Sequence, residues 1–394
     1  MGIARLPIIS MWLASFIMSV TIGVYNPVIP LLQADLNFTY AQVGLMTTAM
    51  IFSYAALQLP SSHVRERIGS KRLIILGLLA MTVSTFLLGF ITNISQAYAL
   101  RFIAGMGMAG VFIPAMNTII HLLRERGKGF AIGMYGMAQA VGFIFVSLLA
   151  PILSVELGWR VSTMMISSIG FIAIPLIWIS FAQEPEEVVT KESTKETYRS
   201  LLKSREAWAL AIGHFIRFGL IVAVTTWIPT FLFEVRGFTI ILAGIAAAII
   251  NITSLIATPV GGVVSDRARN KSSVAITNFI ILGPVIFLVA FVDTVLATWI
   301  GIIGVGFLLF FYFAPMYALA SDLFPKISGI STSYQNMWGS IGAMVLPSVF
   351  GILRDSTGTF DASWALMGIL SLAGAGIFLA FLRTPNLPSS VTKK

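Results

Sequence analysis

Residues 6–34 read LPIISMWLASFIMSVTIGVYNPVIPLLQA, with no Asp, Glu, Lys or Arg among them. A helix needs about 20 consecutive apolar residues to cross a bilayer core, and this segment exceeds that. The pattern recurs along the chain. Uncharged stretches run over 36–62, 73–100, 102–123, 129–155 and 161–183. Beyond a charged break they resume over 207–233 (interrupted once, by Arg217), 237–265, 272–292, 294–321, 327–353 and 362–382. Hydrocarbon offers backbone N–H and C=O groups no water to bond, so continuous stretches of this kind must be helices. The expected fold is therefore an all-α membrane protein with twelve transmembrane helices.

Composition excludes the alternatives. Of 394 residues, 57% are hydrophobic and 10% charged, whereas a soluble globular chain carries about 25% charged residues. A transmembrane barrel would show short alternating segments instead of continuous runs. The net charge of +9 invites a nucleic-acid reading, but its distribution argues against one. With the N-terminus placed in the cytoplasm, only Arg160, Arg236 and Arg354 fall in outer loops, and Arg101 and Arg217 lie within helices. The other 20 of the 25 Lys and Arg residues lie at inner ends and loops. That asymmetry is a strong positive-inside signal. It places both termini inside a multi-pass protein of the cytoplasmic membrane and accounts for the basic balance without a polyanion. There is no cysteine, hence no disulfide or thiolate chemistry. The first span has no small-residue cleavage site and reads as retained.

The extended polar segment QEPEEVVTKESTKETYRSLLKSRE at 183–206 mixes both charge signs and reads as an inner linker with a short amphipathic piece near 196–203. It divides the chain into a six-helix bundle at 1–182, a linker at 183–205 and a second six-helix bundle at 206–394. The halves echo each other. Glu66-Arg67 matches Asp266-Arg267, Pro30 matches Pro229 and Pro114 matches Pro315, at offsets of 200, 199 and 201 residues. Both halves start inside, so the repeat is parallel about an axis along the membrane normal. That geometry puts a solute site between the halves near mid-membrane.

Several motifs resemble the major facilitator superfamily of secondary transporters, and the resemblance spans essentially the whole chain. ERIGSKR from Glu66 resembles the family's loop after span two, with Ser62 where Gly is usual. GVVSDRARNK from Gly262 resembles its second copy. RFIAGMGMAG from Arg101 is similar to the Arg-x-x-x-Gly-x-Gly signature of span four. GWR at 158–160 and GILRDSTGTF at 351–360 resemble the outer loops after spans five and eleven. GMYGMAQAVGFIFVSLLAP from Gly133 lacks the Gly-Pro pair of proton-driven drug antiporters. WIPTFLFEVRGF from Trp227 resembles the span seven-to-eight junction of organic-anion and organophosphate-type members. The resemblance implies a transporter working by alternating access. The residues themselves offer no nucleophile–base pair, metal cluster or phosphate loop, so neither enzymatic activity nor a cofactor is expected.

Arg217 is the leading site candidate. It lies eleven residues beyond Glu206, about 16 Å into its helix. An Arg at a helix centre costs at least ~2.5 kcal/mol on insertion scales, so it should face water or a partner. Its planar fork suits a carboxylate or phosphate. Anionic-substrate members often carry an Arg here, and commonly a second in the first helix, which this chain lacks. A structural Arg bonded to helix carbonyls is the competing reading. His214, three residues earlier, shares its face and could bond solute or carry a proton. Arg101 is assigned a structural role, snorkelling outward or tethering a neighbour, with proton coupling or substrate contact as the other option. Tyr25, Asn117, Tyr135, Gln139, Tyr312, Tyr334 and Asn336 are candidate solute contacts among residues that otherwise glue helices together. Glu66, Arg67, Lys71, Asp266 and Arg267 are candidate gate residues, able to pair with the other half or accept from a helix N-terminus.

All sixteen acidic residues lie in loops or at helix ends. The two Arg residues within spans thus have no evident counter-ion, which favours a small organic or inorganic anion as solute, with a proton or counter-anion as coupling partner. The expected protein is a monomer surrounded by lipid, with no nucleic-acid partner and no metal. Two other readings stay open: an exporter of hydrophobic or peptide-like solutes, suggested by 17 Met and 29 Phe residues, and a non-transporting receptor or scaffold.

Overall fold

The computed structural model describes residues 5–123, 128–181 and 200–382. Helix α1 (Arg5–Gly23) passes through one 3-10 turn, Asn26–Val28, into α2 (Ile29–Leu36), and together they make the first span. Spans two to four are α3 (Tyr40–Ile68), α4 (Ser70–Leu87) and α5 (Ile94–Leu122). Helix α6 (Lys128–Ser180) is far too long for one crossing at 1.5 Å per residue. It is broken at Gly158, whose φ of 77° lies where only glycine sits without strain, and so supplies spans five and six. The second half follows as α7 (Arg205–Glu234), α8 (Ile240–Arg267), α9 (Lys271–Phe291), α10 (Val295–Phe311) with α11 (Phe313–Leu323) in one span, α12 (Ser328–Thr357) and α13 (Asp361–Phe381).

Among the described residues, ten helical stretches are long and apolar enough to cross a bilayer. The break at Gly158 splits one of them, and the more polar α3 completes the twelve expected from the sequence. Most of the 183–205 linker lies outside the described residues, as do the basic residues Arg124 and Arg126. Residues 200–203 form a helical turn, and Leu201 is buried with Ala207, Ala211 and Tyr334. Ser204 then caps α7 by accepting from the Ala207 N–H at 3.2 Å.

Lipid gives helices no hydrophobic reason to associate, so they associate through close packing at small residues. Gly105 of α5 lies against the Met50 carbonyl and Ser53 of α3, where a Cβ would overlap both. Gly77 and Gly107 lie against each other's carbonyls, joining α4 to α5. In the second half Gly342 of α12 rests on the Phe215 carbonyl of α7.

The halves meet through α3 against α12 and α6 against α8. Gly44 lies on Pro347 and Ser348, Gly351 on Tyr40, and Gly244 on the Ser147 carbonyl and Pro151. Thr48 Oγ1 lies 2.5 Å from the Met344 carbonyl, to which it donates, and 2.6 Å from Ser348 Oγ. These contacts sit toward the membrane face away from the basic clusters. Toward the basic face Gly133, Gly136 and Gly329 have nothing within reach of a Cβ. The close backbone contacts between the bundles thus lie at the end away from the basic clusters.

Gly105→Ala should lower the melting temperature of detergent-purified protein, by the ~1–3 kcal/mol that overpacking costs. Gly133→Ala, with nothing to collide with, should leave stability within about 1 kcal/mol. Scanning fluorimetry on the two variants checks both.

Candidate functional site

Two helix breaks organise the membrane interior. In the first span Pro27 has no N–H, and the helix gives way between Gly23 and Asn26. The carbonyls of Thr21 and Ile22 would have bonded the N–H groups of Tyr25 and Asn26. They accept instead from Arg101 of α5, both at 3.2 Å. The Arg101 guanidinium also lies 4.6 Å from the Tyr25 ring centre, and the Tyr25 hydroxyl lies 2.7 Å from Thr47 Oγ1.

The tenth span repeats this chemistry. At Tyr312 the N–H turns to the Phe310 carbonyl, which releases the Leu308 carbonyl from its helical partner. Leu308 O accepts from Arg217 Nη2 at 3.0 Å and from Asn278 Nδ2 at 3.2 Å, and the guanidinium sits 5.1 Å from the Tyr312 ring centre. Both arginines are 1% exposed. Arg101 does not snorkel outward as one sequence reading allowed; it turns inward and ties α5 to the first span. Among the described residues no carboxylate approaches either guanidinium. Arg101 Nε, Arg217 Nε and Nη1, and the Tyr312 hydroxyl have no protein hydrogen-bond partner.

His214 and Arg217 both lean on the tenth span but into different surroundings. The imidazole packs with the rings of Phe218, Phe313 and Tyr317 at 6.1, 6.3 and 5.7 Å, against Gly339, and neither nitrogen has a protein partner. The first half has its own ring cluster, Tyr54, Phe112 and Tyr135, in successive edge contacts at 6.1 and 5.8 Å. Each half thus carries an aromatic cluster within its spans. The Tyr135 hydroxyl donates to the Phe112 carbonyl at 3.1 Å, and Gln139 and Asn117 are partly exposed. Tyr334 is buried near Trp208 and Trp338, toward the basic end of α12, and Asn336 is partly exposed. In this conformation Tyr25, Tyr312 and Arg217 are enclosed by partners within their own halves. Tyr54 was not among the sequence candidates. Only its ring contacts distinguish it from other tyrosines in the spans.

At the basic end Glu66, Arg67, Asp266 and Arg267 are exposed. Lys71 places its ammonium 4.7 Å from the Trp178 ring centre. An ion pair there joins Lys271 to Asp322 at 2.7 Å, within the second half.

The opposite end holds a clasp that sequence reasoning missed. Helix α3 opens with a capping box, Thr39 accepting from the Gln42 N–H and Gln42 Oε1 from the Thr39 N–H. That leaves the N–H groups of Tyr40 and Ala41, and they donate to the two carboxylate oxygens of Asp355 from α12 at 3.1 and 2.7 Å. A carboxylate there also meets the positive end of the helix dipole. The Tyr40 hydroxyl donates to Glu234 at 2.5 Å, and the Arg354 guanidinium covers the Tyr40 ring at 4.6 Å. The sequence signal was slight: the first turn of α3, Tyr40-Ala-Gln, carries no acid of its own.

The sequence profile of the Major Facilitator Superfamily matches residues 11–347. The chain belongs to that superfamily. Among its relatives, the "Probable sulfoacetate transporter SauU" of Cupriavidus necator is 24% identical over 387 residues, covering 91% of this chain and 90% of that one. The "Probable galactarate/D-glucarate transporter GudP" of Escherichia coli is 25% identical, covering 88% and 86%. The "Probable nitrate transporter NarT" of Staphylococcus carnosus is 26% identical, covering 89% and 90%. The same fold is seen in the crystal structure of a bacterial homolog of the human lysosomal transporter Spinster, in an inward-facing and occupied conformation. The TM-score is 0.78 at 16% identity, with 96% of each chain covered. As a superfamily member the protein is a multi-pass membrane transporter that works by alternating access, so the clasped end must open in the transport cycle.

The chain has no cysteine of its own, so a single Ser348→Cys in the α3–α12 seam reports opening cleanly. Adding Asp355→Asn, which removes the capping charge, should raise the maleimide labelling rate about fivefold, the factor for ~1 kcal/mol of lost cap. An unchanged rate would show that the clasp does not hold this end shut.

Proposed function

We propose that this superfamily member carries a small organic or inorganic anion across the cytoplasmic membrane, with both termini inside, at a site between the two bundles. The observation that carries this reading is the pair of buried guanidiniums without a carboxylate partner. Two full positive charges in low-dielectric surroundings bias the gap toward negative solutes. At an effective dielectric of 20, a charge about 8 Å away contributes roughly 2 kcal/mol. The names of the relatives, which specify sulfoacetate, galactarate or glucarate, and nitrate, support the same class.

In this reading the solute contacts are His214, Tyr54, Tyr135, Tyr317, Gln139 and Asn117. Arg217 acts chiefly through its field, from behind the Tyr312 ring. His214, with both nitrogens free of protein partners, is the candidate carrier of a coupled proton. Glu66, Arg67, Lys71, Asp266 and Arg267 are the proposed gate of the basic end, closing when the clasp opens. These aromatic clusters favour one competing reading, an exporter of hydrophobic or peptide-like solutes. Thermal stabilisation by lipophilic cations and not by anions would select it.

Arg217→Gln separates charge from structure, because Asn278 still donates to Leu308 O when the guanidinium is gone. The variant should melt near the wild-type temperature yet lose about thirtyfold in apparent affinity for the transported anion in proteoliposome uptake, the factor that corresponds to roughly 2 kcal/mol. Arg217→Lys should retain most of it. Wild-type affinity in a folded Arg217→Gln would contradict the anion assignment.

A further inference from the structure

Away from the gap, α8, α9 and α10 enclose a crevice of about 560 Å³. Its mouth is at the basic end, where Arg269 stands in the turn between α8 and α9 and Ser273 faces it from the first turns of α9. Its walls are apolar, formed by Val264, Ile281 and Phe307. Asn278 and Leu308 also line it, and the Leu308 carbonyl accepts from both Asn278 Nδ2 and Arg217 Nη2. Asn278 is 3% exposed and its Oδ1 has no protein partner. The same helices present Val260, Val263, Ile280 and Ile303 outward, so the crevice opens on the hydrocarbon side and away from the gap.

The charge at the mouth is available. The neighbouring Lys271 is taken by Asp322, while Arg269 is exposed and forms no ion pair among the described residues. Twelve residues separate Arg269 from Ile281 in sequence. As helix that is about 18 Å, close to the ~15 Å of one leaflet's hydrocarbon.

We propose that this crevice binds an anionic phospholipid of the leaflet at the basic end, its phosphate on Arg269 and Ser273 and one acyl chain along the apolar walls. A soluble anion would find one cation and a greasy slot. A zwitterionic lipid would gain the slot but lose most of the charge attraction. Only an amphiphile with a net negative head uses both. Basic pockets between spanning helices at that interface select such heads. The occupant would bear on the α9–α10 seam and so on the backbone that anchors Arg217. This inference stands apart from the solute assignment.

Native mass spectrometry after re-lipidation with phosphatidylglycerol and phosphatidylcholine in equal amounts tests it. The wild type should retain phosphatidylglycerol about fivefold over phosphatidylcholine, the preference expected for one cationic side chain at a lipid surface. Arg269→Gln, an exposed position whose substitution leaves the fold intact, should abolish the preference. Ser273→Phe, which fills the crevice mouth from another exposed position, should lose phosphatidylglycerol binding with no change in melting temperature. Soluble sn-glycerol 3-phosphate should not stabilise the protein. Equal retention of both lipids by the wild type, an unchanged preference in Arg269→Gln, unchanged retention in Ser273→Phe, or stabilisation by glycerol phosphate matching that of the lipid would each overturn the proposal.

Discussion

A broken helix in hydrocarbon must have its released carbonyls bonded, and in this transporter two arginines do it. The breaks before Pro27 and at Tyr312 free Thr21, Ile22 and Leu308, and Arg101 and Arg217 close them. An uncharged donor could satisfy the same carbonyls. A guanidinium also brings a full charge that no described carboxylate neutralises. The structural need and the electrostatic bias are thus met by one side chain in each half. Leaving an ion unpaired in a buried site costs several kcal/mol, and cation–π contact with Tyr25 and Tyr312 recovers part of that. An anion passing between the halves would recover more, and transiently.

The two ends of the molecule are held in different ways. Where the bundles converge, backbone approaches backbone through Gly44, Gly244 and Gly351, and Asp355 completes a helix belonging to the other half. At the basic end Glu66, Arg67, Asp266 and Arg267 are exposed. Alternating access needs the first set to come apart and a second set to form. A helix cap suits a latch because its donors, once released, can bond water at the membrane surface at small cost.

Much of this was legible in the sequence because lipid is a severe solvent. Twelve spans and the charge asymmetry follow from which residues hydrocarbon tolerates. The turn at Gly158 was visible as the GWR motif, and Pro27 and Pro315 lay in view without announcing that neighbouring carbonyls would need an arginine from another helix. That pairing is tertiary: the contact between Arg101 and Ile22 spans 79 residues, and nothing local to either reveals it. The clasp is more distant still, with Asp355 reaching Tyr40 across 315 residues. Periodicity placed Arg217 within a span but could not show that its neighbours close around it, since the carbonyl it bonds is released by the bend at Tyr312.

The central claim is that the two bundles rock as units about the α3–α12 and α6–α8 seams while a solute sits between them. Pulsed electron resonance on two spin-label pairs tests it most directly, one joining residues 64 and 333 at the basic end and one joining 156 and 295 at the other. All four positions are exposed, and no native cysteine interferes. An anion that stabilises the protein should populate a second state in which the first distance shortens and the second lengthens. If both distances move in the same direction, or neither moves with any stabilising solute, the rocking account is wrong.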